Sequence, residues 1–297
     1  MPQTRPSIFA KLSLAFLAAI FWAGAANAAP ERDGVTIAVI PCGNAVAAVN
    51  KFNPLMQYLK KETGFNVNLA VPITIDYLES GLRLKDIDFV LASPHVYIAL
   101  ADLFDRNSLL RSLTSDGSTS EAGLIVVRKD SGITKIEDLK GKTIMFGPKL
   151  ASNKFFAALL LFRSKDIDID QDLQAYSYGG CCEDIVFSVF LKKVDAGVTC
   201  DHFLDHPPET RSELGITYEE LTVIETTKPV PTRVFVARSD MAEDITRKIN
   251  QALLRLNIKN AESEHIFQSC ELGGFQEAKD SDYDDLRAML NLLNTRE

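Results

Sequence analysis

From residue 35 onward the chain alternates short apolar runs with amphipathic stretches, and that alternation constrains its fold more than any other feature. Residues 35–40 read as a buried strand running into a Pro41-Cys42-Gly43-Asn44 loop. A helix follows to about Thr63, with Val46, Val49, Phe52, Leu55, Met56 and Leu59 on its apolar face and Gly64 closing it. Residues 65–71 form a second strand, 77–84 a helix, Phe89–Ala92 a third strand, and 95–104 another helix. Strand–helix–strand order of this kind predicts an α/β fold with parallel or mixed sheets flanked by helices. In such sheets ligands collect outside the carboxyl ends of the strands. Those ends are Cys42–Asn44, the turn at Thr74–Tyr77, and Ser93–Tyr97.

The same alternation resumes after the apolar strand Gly123–Arg128 and a polar turn. It gives Thr143–Phe146, a helix over 153–162, a strand over 173–178, a helix over 182–193 and Ala196–Cys200. Val234–Ala237 adds a strand, and helices over 241–256 and 281–293 finish the chain. With no internal repeat or low-complexity linker, we expect two similar lobes with the chain crossing near Val126 and again near Val234. The boundaries are 29–126 plus 236–297 for the first lobe and 127–235 for the second. A single large sheet is the alternative.

Residues 176–201 carry the densest chemistry. A Gly179-Gly180 turn opens a helix at Cys182, whose first N–H groups and positive dipole end suit an anion. Cys181 and Cys182 stand on that turn and Cys200 closes the next strand, so three of the five cysteines gather in one stretch.

Residues 1–28 read as a secretory leader. Arg5 and Lys11 supply its positive end, residues 12–23 its apolar run, and Ala26-Asn27-Ala28 its cleavage site. A membrane anchor is the alternative, but the run is shorter than the ~20 residues that span a bilayer. The cleaved chain is expected to be soluble in the periplasm, with no membrane insertion. There, cysteines tend to pair, and an odd number leaves at least one over. The net charge of −8 argues against nucleic acid as a partner. It leaves room for a small anionic ligand in a cleft of local positive sign.

Six stretches, in order, resemble one family: VIPCGN with FNPLMQYLKKETGFNV, DYLESGLRLKDIDFVLASPHVYIAL, GLIVVRKDSGITKIEDLKGKTIMFG, residues 176–201, KPVPTRVFVARSD and LGGFQEAKDSDYDDLR. The resemblance is to the periplasmic solute-binding proteins of phosphate, phosphite and phosphonate ABC transporters. It implies a type II-like periplasmic binding protein, with two lobes on a two-strand hinge closing over a small oxyanion. It also implies a binder rather than an enzyme, no cofactor, and an ABC permease or the periplasmic domain of a sensor kinase as partner. Carried over by position, Tyr77 lines the cleft and Ser93, Pro94 and Tyr97 form a loop reaching the ligand from the first lobe. The family's Ser-Thr-Ser-Gly turn reads Ala151-Ser152-Asn153-Lys154 here, which makes Ser152 and Asn153 ligand residues, with Lys154 adding charge if it points inward. The family's histidine ahead of Asp-Ala-Gly, counted back from Asp195, falls on Cys182.

Those departures open further readings. Neutral thiols are poor donors to an oxyanion and good ligands for soft centres. Cys42, Cys181, Cys182 and Cys200, if all faced the cleft, would suit an arsenite-like species or a soft metal ion. The competing readings are a structural disulfide from Cys200 to Cys181 or Cys182, and inert buried thiols. A bridge between the adjacent Cys181 and Cys182 is the least expected pairing, and Cys270 stands apart. Cys200, His202 and His206 have metal-ligand spacing without a fourth ligand. Lys140-Gly141-Lys142-Thr143 lacks the upstream glycine of a P-loop and reads as a turn. His95 with Cys182 lacks the third residue that would orient a nucleophile's base.

Overall fold

The computed structural model describes residues 34–40, 45–201, 218–256 and 261–294. The expected leader, Cys42, His202 and His206 lie outside the described residues. Residues 34–297 form one compact unit. Within it are two sheets and a short ribbon.

The first sheet has six strands in the order β13-β4-β12-β3-β1-β2. They are β1 (Gly34–Val39), β2 (Asn66–Ala70), β3 (Phe89–Ala92), β4 (Leu109–Leu113), β12 (Val234–Ala237) and β13 (Gly274–Ala278). β1 runs parallel to β2 and β3, while β12 is antiparallel to β3 and β4, and β13 to β4. β3 is buried at all four positions, which is why it is apolar without alternation. On one face, α1 (Ala45–Thr63), α6 (Glu243–Arg255) and α7 (Ala261–Cys270) pack Phe52, Leu59, Ile249, Leu253 and Phe267 against Ile37, Phe89 and Phe235. On the other, α2 (Ile75–Arg83), α3 (Pro94–Ala99) and the 3-10 turn Asp280–Tyr283 pack Leu78, Leu82, Val96, Tyr97 and Tyr283. The buried pair Arg238–Asp88, at 3.0 Å, ties the end of β12 to the start of β3, and Asp88 also accepts from the Thr36 N–H.

The second sheet has the order β10-β6-β9-β7-β8. Its strands are β6 (Gly123–Arg128), β7 (Thr143–Phe146), β8 (Ala175–Tyr178), β9 (Ala196–Cys200) and β10 (Leu221–Thr226). β7 is parallel to β8 and β9, and β6 is antiparallel to β9 and β10. α4 (Ala157–Ser164) covers one face through Ala158 and Phe162. α5 (Cys182–Phe190) covers the other through Val186 and Val189.

Where the chain passes between the sheets, β5 (Ser120–Glu121) pairs antiparallel with β11 (Val230–Pro231). The boundaries expected at 126/127 and 235/236 cut through β6 and β12, each of which lies wholly in one sheet. The crossing sits a few residues before each of them, at this ribbon. α8 (Asp284–Asn294) packs against both α3 and α4, so one C-terminal helix touches the layers of both sheets. No helix among the described residues is long and apolar enough to cross a membrane.

Candidate functional site

β7 ends at Phe146, and the chain folds back through residues 147–151 into a wide turn, Ser152–Phe156, that opens α4. Two glycines permit this. A Cβ on Gly147 would stand 2.4 Å from Lys154 Cβ, and one on Gly123 would stand 2.6 Å from the Asn153 carbonyl oxygen. With no side chain at either place, the turn presses against the start of β6 and the end of β7. Ser152, Asn153 and Lys154 are buried as a result, at 2%, 4% and 5% exposure.

This turn meets the first sheet's α3. Ser152 Oγ accepts from the backbone N–H of His95 at 3.3 Å and lies 3.3 Å from its ring Nδ1. The His95 ring packs 4.6 Å from Phe156, and its Nε2 is buried with no hydrogen-bond partner among the described residues. Burial pulls the His95 pKa down to about 4, so the imidazole is neutral at pH 7. Asn153 Oδ1 accepts from the Lys154 N–H at 2.8 Å. Lys154 Nζ donates to Cys182 Sγ at 3.3 Å, and among the described residues no carboxylate pairs with it.

Cys182, the first residue of α5, is bonded to Cys200 at the end of β9. This is one of the two pairings left open by the cysteine spacing, and it removes two of the four thiols that a thiophilic site would use. Cys181 is the N-cap of α5, and its N–H donates to Asp184 at 3.2 Å. That N–H is therefore already engaged rather than turned to an anion. Cys270 ends α7 inside the first sheet's core, its thiol pointing at the Lys51 carbonyl and its pKa pushed up to about 12 by burial. No cluster of three or more His, Cys, Asp or Glu able to hold a metal occurs among the described residues.

The ribbon brings in groups that sequence reasoning missed. Burial raises the pKa of the Glu121 carboxyl, while Arg233 and Lys154 pull it back down. Asp201 Oδ2 accepts from the Ala122 N–H at 2.7 Å, and Thr227 Oγ1 from the Gly123 N–H at 2.8 Å. Both bonds fasten the chain where it enters β6. The only sequence signal for these residues is polarity flanking apolar strands at the crossings.

The remaining expected residues divide. Tyr77 is 63% exposed on the first turn of α2, held there by its N–H on the Thr74 hydroxyl. Ser93 caps α3 and is half-buried, and Pro94 is its buried first residue. Tyr97 is fully buried between Phe104 and Tyr283, and its hydroxyl donates to Asp280. Burial and that carboxylate push its pKa well up. Tyr97 fastens α3 to the chain ahead of α8. Cys200 is fully buried in its disulfide.

The family described as "ABC transporter, phosphonate, periplasmic substrate-binding protein" matches residues 37–283. The chain belongs to this family. It is 22% identical over 229 residues to the phosphonates-binding periplasmic protein of Escherichia coli strain K12. That match takes in 75% of this chain and 66% of the relative, just under two thirds of its length. Among solved structures it resembles PhnD1 of Prochlorococcus marinus, in complex with methylphosphonate (TM-score 0.75, 18% identity, 88% of this chain and 98% of that one). A binding protein component of an ABC phosphonate transporter from Pseudomonas aeruginosa follows (TM-score 0.72, 17% identity, 86% and 84% covered). A Xanthomonas citri protein bound to ATP shares the fold less closely (TM-score 0.66, 16% identity, 86% and 95% covered). The fold is that of a periplasmic binding protein, and the family is one of binders.

Proposed function

We propose that this chain is a periplasmic binding protein that captures a phosphonate-class oxyanion between its two sheets and presents it to an ABC permease. The carrying observation is Lys154. It is a cation buried to 5% exposure at the head of α4, hydrogen-bonded to a sulfur, with the Glu121 carboxyl within electrostatic reach but forming no ion pair with it among the described residues. A buried charge with no hydrogen-bonded counter-ion is costly, and an anion seated there would supply one. Ser152 and Asn153 lie beside it, and Ser93 and Pro94 approach on α3 through the His95 contact. Tyr77 stands exposed at a carboxyl-end turn of the first sheet.

In this reading residues 1–28 are removed on export, and the two sheets with their helices are lobes that rotate about the β5–β11 ribbon. The family description favours a permease over a sensor kinase as partner. The bond between Cys182 and Cys200 leaves no thiol on Cys182, which disfavours both the thiophilic site and a Cys182 nucleophile.

Calorimetric titration with methylphosphonate, phosphite and phosphate tests this. One saturable site, no turnover and a rise in melting temperature with ligand are expected. Lys154→Met should weaken the preferred ligand at least tenfold, about 1.4 kcal/mol. If none of the three binds, the function is wrong. If one binds equally well to the variant, the role given to Lys154 is wrong.

A further inference from the structure

A cavity of about 360 Å³ lies where α4, the segment after β10 and α8 meet. None of Ser152, Asn153, Lys154, His95 or Cys182 lines it. Its walls are Leu160 and Leu161 from α4 and Met289 and Leu292 from α8, with Arg163 and Lys228 among the lining residues. The volume is at the lower end for small-molecule sites, and an apolar lining with a few polar groups is what such sites share.

Three features distinguish this cavity from a packing gap. Leu292 is an apolar residue left 61% exposed among the lining residues. Arg163 is half-buried and held in place by donating from Nη1 to the Leu293 carbonyl at 2.9 Å. A guanidinium has five N–H donors, so that bond leaves donors for an anion. Finally, the lining contains two cations and no carboxylate among the described residues. An apolar wall with positive charge beside it is complementary to an amphipathic anion.

We propose that this cavity binds a medium-chain alkyl carboxylate. The chain lies against Leu160, Leu161, Met289 and Leu292, and the carboxylate pairs with Arg163 while Lys228 adds positive charge. Guanidinium–carboxylate pairing fixes the headgroup geometry, and apolar burial supplies the rest of the affinity. The site is separate from the proposed phosphonate cleft.

Octanoate, used below its micellar range, is the probe, and octanol is its uncharged counterpart. Saturation-transfer NMR and calorimetry on the whole exported chain should show one saturable octanoate site and weaker octanol binding. Arg163→Gln with Lys228→Gln should cut octanoate affinity about tenfold and leave octanol unchanged. Leu292→Trp, at an exposed position where folding is not at risk, should fill the cavity and block both probes. Lys154→Met should leave octanoate binding intact, so this result and the phosphonate result fail independently. Absence of binding at millimolar octanoate overturns the proposal. So does octanol matching octanoate, octanoate binding indifferent to the Arg163/Lys228 and Leu292 changes, or its loss in Lys154→Met.

Discussion

Loss of the Cys182–Cys200 bond should lower stability by an amount the structure itself sets. The two residues are 18 apart in sequence. Closing a loop of that length removes chain entropy from the unfolded state worth about 3 kcal/mol. In a chain of this size each kcal/mol moves the melting temperature by roughly 2–4 °C, so a drop of about 6–12 °C is expected. Alanine is the better replacement, because both positions are buried and a serine hydroxyl would add a desolvation cost of its own. Cys182→Ala/Cys200→Ala and the reduced wild type should melt within a few degrees of each other. The two single variants should each lose nearly as much as the pair, since either one breaks the same bridge. Cys181→Ala, which removes only the N-cap thiol, should cost far less. Circular dichroism melts with peptide mapping of alkylated cysteines measure all of this. A double variant as stable as the oxidised wild type, or a map pairing Cys181 with Cys200, would refute the reasoning.

Two further outcomes follow from the same region. Free histidine titrates at 6.5 and folded His95 near 4, so the unfolded chain takes up a proton in that window which the folded chain refuses. Stability should therefore fall by up to ~3 kcal/mol as pH drops from 6.5 to 4 and gain no further His95 penalty below that. Urea midpoints across that range should show a shallower slope in His95→Gln, and an unchanged slope removes His95 as the cause. Gly123→Ala sets a methyl 2.6 Å from the Asn153 carbonyl oxygen, a backbone atom that cannot swing away. About 1–3 kcal/mol of stability and part of the phosphonate affinity should go with it, and full retention of both would mean the 152–154 turn yields.

The α/β order was legible because burial leaves a plain mark. β3 is apolar at every position, and α1 repeats its apolar residues at helical spacing. β4 and β10 went unread for the opposite reason. Leu109–Leu113 includes Arg111 and Ser112, and Leu221–Thr226 mixes polar residues into an edge strand, so neither shows a continuous apolar run. At the site, local signals identified residues but not their directions. Spacing could not decide whether Cys181 or Cys182 meets Cys200; the first turn of α5 does, by giving Cys181 the cap and turning Cys182 to β9. Likewise Tyr97 follows a carboxyl-end loop, yet it lies far enough into α3 to face the core with Val96 and Leu100. The Ser152–His95 contact joins residues 57 apart, one on α3 beside the first sheet and one on the turn after β7 of the second, and no local pattern encodes it.

The way the strands are threaded also bears on how the chain can assemble. The five strands of the second sheet occur in one uninterrupted run of sequence, from β6 to β10. The first sheet cannot close on its own early segment, because β12 must slot between β3 and β4 and β13 must follow onto β4. A chain delivered amino end first thus holds β1, β2 and β3 with an open seam while the later sheet has all its strands available. Long-range insertion of a central strand is the slow kind of step. Until it happens, the unpaired edges of β3 and β4 are where the emerging chain is open to wrong pairings.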